Sequence, residues 1–145
     1  MKLTPENIAL KILIADDDPD DRQLLALAFK EAKLGHTVTF VKNGEELMDH
    51  LRNLSVSENN NHFPDIILLD LNMPKKDGRI ALKEIKLDPK LAKLNIIIFS
   101  TSISSEDTTY VSGLGVTKCI TKPCGFYELV DVVKEICDSY AAISR

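Results

Sequence analysis

Short runs of β-branched and aliphatic residues alternate along the chain with stretches in which apolar residues recur every three or four positions. Lys11–Asp16 (KILIAD) reads as a buried strand. Pro19 suits the first turn of a helix capped by Asp18 or a neighbour, and Leu24, Leu27, Ala28 and Glu31 carry the helical spacing onward. Thr37–Val41 (TVTFV) predicts a second strand, followed by Asn43–Gly44 and a helix through Leu47, Met48 and Leu51. Asp65–Asp70 (DIILLD) is apolar almost throughout, as a central parallel strand buried on both faces should be. A helix through Ile80, Leu82, Ile85 and Leu87 follows and stops at Asp88–Pro89. Asn95–Ser100 (NIIIFS) predicts a fourth strand, and Ser104 to Asp107 resembles a capping box opening a short helix that Gly113 ends. Val116–Thr121 is the fifth strand, and Leu129, Val132, Val133, Ile136 and Tyr140 line the last helix.

Strands that alternate with helices need crossover connections, and these are right-handed. The expected fold is therefore α/β: a five-stranded parallel sheet in the order 2-1-3-4-5, with helices on both faces. One domain should span residues 1–145, with its core at about 11–140 and no second domain after the last helix. Asn53–His62 (NLSVSENNNH) is polar, Asn-rich and aperiodic, and reads as a mobile loop.

Composition narrows the function. Hydrophobic residues make up 44% and charged residues 28%, as in an ordinary globular chain. The longest apolar runs, such as Ile96–Phe99, are far too short to span a bilayer, and Met1–Leu10 lacks the pattern of a secretory signal. The expected compartment is the cytoplasm, with no membrane partner. Cys119, Cys124 and Cys137 are odd in number and lack metal-ligand spacing, which suits thiols in a reducing compartment. A net charge of −4 gives no footprint for nucleic acid. If Asp16, Asp17 and Asp70 share a pocket, most of that charge is local, and the acidity points to a cation site.

In open parallel sheets, ligands bind outside the carboxyl ends of the strands, where the strand order reverses. Strand one ends in Asp16–Asp17–Asp18, strand three in Asp70, strand four in Ser100–Thr101 and strand five in Thr121–Lys122–Pro123. Taken singly, an Asp after a strand is often a helix cap, which explains Asp18 well, and Lys122–Pro123 could be an ordinary turn. Such readings do not explain chemistry-bearing residues at four strand ends on one rim. Two carboxylates about 4 Å apart repel by roughly 4 kcal/mol at an effective dielectric near 20. Three of them call for a hard cation, and Mg²⁺ suits such a pocket. Ser100 and Lys122 could then hold the oxygens of a transferring phosphoryl group.

With these residues in view, the chain resembles the receiver domain of two-component response regulators, a flavodoxin-like fold, from about Lys11 to Tyr140. The resemblance rests on the acidic pair after strand one, DLNMPKKDG (Asp70–Gly78), Ser100–Thr101, and Lys122–Pro123, with Ser100 and Lys122 22 positions apart. It implies Asp70 as phospho-acceptor, Asp17 as a direct Mg²⁺ ligand and Asp16 as one acting mostly through water. It also implies Asn72 as a ligand through its backbone carbonyl, Ser100 as switch hydroxyl and Lys122 as phosphate-binding ammonium. The phosphodonor would be a sensor histidine kinase or a phosphotransfer protein. Within the family, the insertion before strand three and KLDPKLAKLNIIIFSTS are similar to small receivers associated with phytochrome-type kinases. That similarity suggests a homodimer through the fourth helix, strand five and the last helix, with Tyr127 and Tyr140 as candidate contacts. The strand-five position that is usually aromatic in the family is Cys119 here.

Two other functions share parts of this pattern. A haloacid-dehalogenase-type phosphohydrolase also uses Asp, Mg²⁺, Ser/Thr and Lys on a parallel sheet, but Asp20 stands where that family favours Thr or Val, and no acidic pair ends a later strand. A flavodoxin-like nucleotide module needs a Gly- or Ser/Thr-rich loop after strand one, where DDDPDD would repel phosphate. A degenerate receiver acting only through protein contacts would not need the complete acid, hydroxyl and lysine set.

Overall fold

A computed structural model describes residues 9–32, 35–56 and 62–143. Five strands and five helices alternate strictly: β1 (Lys11–Ala15), α1 (Pro19–Ala32), β2 (Thr37–Val41), α2 (Gly44–Ser55), β3 (Ile66–Leu69), α3 (Gly78–Leu87), β4 (Ile96–Ser100), α4 (Ser105–Gly113), β5 (Lys118–Thr121) and α5 (Phe126–Ile143). All neighbouring strands are parallel, in the expected order β2-β1-β3-β4-β5.

Strand side chains alternate between faces, so the three central strands supply two separate cores. Leu13, Ala15, Ile67, Leu69, Ile96 and Ile98 pack under α2 and α3, joined by Val111 of α4. Ile12, Ile14, Ile66, Leu68, Ile97 and Phe99 pack under α1 and α5. The register then fixes the functional edge. Ala15 lies opposite Leu69, Leu69 opposite Ile98, and Ser100 opposite Thr121. Each strand therefore ends within a residue or two of the others, and Asp16, Asp70, Ser100 and Lys122 emerge along one rim.

Several expectations are corrected. In α1 the buried stripe is Leu25, Ala28, Phe29 and Ala32, while Leu24 and Leu27 remain 44% and 46% exposed. The segment LLALA offers apolar residues on more than one face, and packing on the sheet selects among them. In α3, Ala81, Leu82 and Ile85 are buried, whereas Ile80 and Leu87 are exposed. The loop expected from Asn53 begins later, because half-buried Leu54 extends the stripe of Leu47, Met48 and Leu51 and carries α2 to Ser55. Residues 57–61 of that expected loop, like Met1–Ile8, lie outside the described residues. Val116 precedes β5 and belongs to the turn after α4. Ser104 does cap α4 through a complete capping box with Asp107. No helix among the described residues is long and apolar enough to cross a membrane.

At the opposite edge of the sheet, the Leu10 N–H donates to His36 Nδ1 at 2.8 Å. The proton of the neutral ring is then on Nε2, which is buried without a hydrogen-bond partner. Burial lowers the His36 pKa from its ordinary 6.5, against the opposing pull of Asp138 and Asp65. The folded protein therefore binds fewer protons here than the unfolded chain. Its stability should fall as pH drops below 6.5 and keep falling until the folded-state pKa is passed. In His36→Asn, whose side-chain oxygen can take over the Leu10 N–H, thermal melts at pH 8 and pH 5 should show a smaller pH-dependent drop than in the parent. An equal drop would mean that other groups carry it.

Candidate functional site

Asp70 follows β3 directly, and its backbone N–H donates to Ala15 O at 3.0 Å, which fixes it beside β1. Behind it the chain makes a tight return. Gly78 N donates to Leu71 O, and a Cβ on Gly78 would stand 2.3 Å from Asp70 O. Only glycine permits that approach, so the DLNMPKKDG segment is shaped to fold back on Asp70. Lys75 within it takes a positive φ of 62°, a conformation few non-glycine residues adopt.

The Asp70 carboxylate is divided between two sets of donors. Oδ1 accepts from the Ser100 hydroxyl at 2.6 Å and from the Asn72 N–H at 3.0 Å. Ser100 is fully buried, and its oxygen in turn accepts the Leu71 N–H at 2.9 Å. Oδ2 accepts from Lys122 Nζ at 3.0 Å. Lys122 is placed by β5, with its backbone N–H on Ser100 O at 2.8 Å. Its ammonium also meets Asp16 Oδ2 at 2.6 Å and Asp21 Oδ2 at 3.0 Å.

One ammonium faced by three carboxylates leaves a deficit of positive charge. Burial raises the Asp16 pKa, and Lys122 offsets this only in part while Asp70 adds to it. Burial alone would lower the pKa of Lys122, but its hydrogen bond to Asp16 and the charges of Asp16 and Asp70 outweigh it and hold the ammonium protonated. One oxygen each from Asp16, Asp17 and Asp70 lie within 4.8 Å of one another, a set of hard donors, and Asp17 is exposed. At about 5 Å each pair of these carboxylates repels by roughly 3 kcal/mol at an effective dielectric near 20. The donor chemistry and the charge both fit a divalent cation.

The structure thus brings together Asp16, Asp17, Asp70, Ser100 and Lys122, with the Asn72 backbone against Asp70. Thr101 stands apart: it is exposed and lines a cavity of about 60 Å³ with Asp21, Leu24 and Lys122. Asp18 behaves as a cap, its carboxylate accepting the Asp20 N–H at 2.9 Å. Cys119 is half-buried against the core under α2 and α3. Tyr127 is exposed, while Tyr140 packs on the core beneath α5. Sequence reasoning missed Asp21 as a partner of Lys122, although Asp21 lies in the first turn of α1, directly after the acidic end of β1. It also missed Arg79.

Residues 12–134 match the family described as response regulator receiver domain. Response regulator Rcp1 of Synechocystis is 33% identical over 125 residues, covering 86% of this chain and 84% of that protein. The phosphorylated cyanobacterial phytochrome response regulator RcpA superposes with a TM-score of 0.79 at 37% identity, covering 95% of this chain and 97% of that one. The Mn(2+)-bound form of Rcp1 superposes with a TM-score of 0.77 at 31% identity, covering 91% and 94%.

Proposed function

The chain belongs to the response regulator receiver domain family of two-component signalling, and from that membership we propose that Asp70 is the residue that accepts the phosphoryl group. The observation that supports this most is the arrangement around one carboxylate: Ser100 on Oδ1 and Lys122 on Oδ2, with Asp16 and Asp17 alongside. An Asp70 oxygen attacks the phosphorus of a phosphohistidine on a sensor histidine kinase or phosphotransfer protein. The new P–O bond forms as the P–N bond breaks, and the imidazole leaves with the electron pair. Ser100 and Lys122 then hydrogen-bond the phosphoryl oxygens they now lie beside. Asp16, Asp17, Asp70 and the Asn72 carbonyl would hold Mg²⁺, which when bound neutralises charge building on the phosphoryl group.

The reaction ends on the protein's own side chain, so no external substrate is turned over and the chain is not an enzyme in the ordinary sense. The similarity to phytochrome response regulators supports a phytochrome-type kinase as input, in the cytoplasm. It also supports a homodimer through α4, β5 and α5, with exposed Tyr127 as the better contact aromatic. Thr101 contributes to the wall beside Lys122.

Mg²⁺ should raise the melting temperature through relief of carboxylate repulsion. At about ten times its Kd the cation stabilises by about 1.4 kcal/mol, or roughly 4 °C for a domain of this size. Exposed Asp17 should be needed for that gain but not for folding, so Asp17→Asn should melt at or above the cation-free parent and gain little from Mg²⁺. An Asp17→Asn protein that gains as much from Mg²⁺ as the parent would remove Asp17 from the ligand set.

A further inference from the structure

Helix α4 is held in an unusual way. Val111 is its one buried residue, and the rest of its length is half-buried or exposed. Hydrophobic burial therefore contributes little to its position, and polar ties carry more of it. The firmest begins at Arg79, the second residue of α3. Arg79 Nε donates to Asp107 Oδ1 at 2.7 Å and its Nη2 to Asp107 Oδ2 at 3.0 Å, a bidentate fork across 28 residues of sequence. The same guanidinium meets Asp77 at 3.0 Å, Leu71 O at 3.4 Å and Asn72 Oδ1 at 3.5 Å. Asp107 also closes the capping box of α4 with Ser104. The Tyr110 hydroxyl adds a second tie, donating to Arg79 O at 3.3 Å. Thus one side chain grips the loop after Asp70 on one side and the start of α4 on the other.

We propose that Arg79 is a positioning residue that locks α4 against the phospho-acceptor loop, and that this lock favours the unphosphorylated arrangement. The inference rests on the reading of Asp70 as phospho-acceptor and adds how that site is coupled to α4. The resting Ser100 hydroxyl bridges Asp70 and Leu71 N. When the hydroxyl turns to a phosphoryl oxygen, the turn from Ser100 to Ser104 has to follow, and Ser104 is bonded to Asp107. The other anchors of Arg79, on Leu71, Asn72 and Asp77, remain with the loop. A fork tolerates little displacement, so the change strains or breaks it. Up to about two added negative charges next to Leu71 and Asn72 also compete with Asp107 for the guanidinium. In the resting arrangement the Arg79 hydrogen bond holds the Asp107 carboxyl down to about 2, so the fork joins two charged groups.

Coupling is reciprocal: a contact that favours the resting state weakens binding of anything that needs the other state. Arg79→Lys and Asp107→Asn, singly and together, test this alongside the parent. Intact-mass labelling by acetyl phosphate with Mg²⁺ reads the chemistry. Fluorine NMR reads the apparent affinity for beryllofluoride at saturating Mg²⁺, and amide exchange over residues 104–113 reads α4. Asn keeps the cap on α4, and Lys keeps a charge beside Asp77. We expect every protein to label, and the single variants to bind beryllofluoride about fivefold tighter, the upper range for a partly exposed pair. The double variant should be no tighter than the singles, because all three lose the same contact. Resting α4 exchange should rise toward the level the parent reaches only with beryllofluoride. Faster exchange with unchanged or weaker beryllofluoride affinity would make the fork a strut common to both states and overturn the proposal, as would additive gains in the double variant. A parent that neither labels nor binds beryllofluoride would overturn the phospho-acceptor reading and the lock together. If one single variant fails to fold, the other carries the same comparison.

Discussion

Asp70→Asn should abolish labelling by acetyl phosphate while leaving the chain folded. The carbonyl oxygen of Asn can still accept from Ser100 and from the Asn72 N–H, which now converge on Oδ1. What disappears is the anionic oxygen facing Lys122, the atom that would attack phosphorus. The amide nitrogen would place a donor against the Lys122 ammonium, but Asp16 and Asp21 still satisfy it. Against that local mismatch stands the loss of one charge from an acidic cluster whose members repel by roughly 3 kcal/mol per pair. Relief of repulsion wins where no cation is bound, so the variant should melt at or above the parent in the absence of Mg²⁺. Its gain from Mg²⁺ should shrink, because one donor is neutral. Mass spectrometry of the intact protein after acetyl phosphate decides the matter. Stoichiometric labelling of the folded variant would sink Asp70 as acceptor and direct attention to the exposed Asp17.

The strands were legible because their signal is local and redundant. Runs of four apolar residues, Ile12–Ala15, Ile66–Leu69 and Ile96–Phe99, each ending in Asp or Ser, read as buried strands that deliver polar residues to a rim, and the register of Ala15, Leu69, Ile98 and Ser100 sets those ends side by side. Ser104 and Asp107 were legible as a cap for the same reason: the bonds lie three residues apart. Helix faces were less so. Leu24, Leu27, Ile80 and Leu87 fit a helical stripe as well as the residues that are buried, and only the sheet beneath decides between neighbouring stripes. Arg79 was invisible. Its partner lies 28 positions away, no periodicity links them, and an Arg at the start of a helix reads as a solvated side chain until α4 is seen packed across from it. Lys122 shows the opposite case, because a strand end brought a distant residue to a predictable place.

Lys122→Ala should have the second large effect, and on stability as well as on signalling. Lys122 is the one cation among the described residues that pairs with the carboxylates of Asp16, Asp21 and Asp70, since Arg22 reaches Asp16 at its backbone carbonyl, and the Lys122 side chain is only 7% exposed. Truncation leaves Asp16, 1% exposed, and Asp70 charged without a counter-ion. Breaking a buried pair from one side costs roughly 3–5 kcal/mol, though Asp21 at the rim can rehydrate and brings the cost toward the lower figure. The protein has two ways to recover. Mg²⁺ can replace the missing positive charge, so the variant should gain more from the cation than the parent does. Protonation of Asp16 is the other. Its folded-state pKa is already raised, and losing Lys122 raises it further. A carboxyl raised on folding favours the native state at low pH and loses that contribution as pH rises through the folded value, so the deficit should narrow on acidification. Urea denaturation at pH 7.5 and pH 5, with and without Mg²⁺, should show the deficit largest at pH 7.5 without the cation. Acetyl phosphate should still label Asp70, because the nucleophile and Ser100 are in place. The shift in amide exchange over β5 and α4 on adding beryllofluoride should be lost, since nothing then draws β5 toward the phosphoryl oxygens. A variant with the parent's stability and exchange response would reduce Lys122 to a turn residue ahead of Pro123.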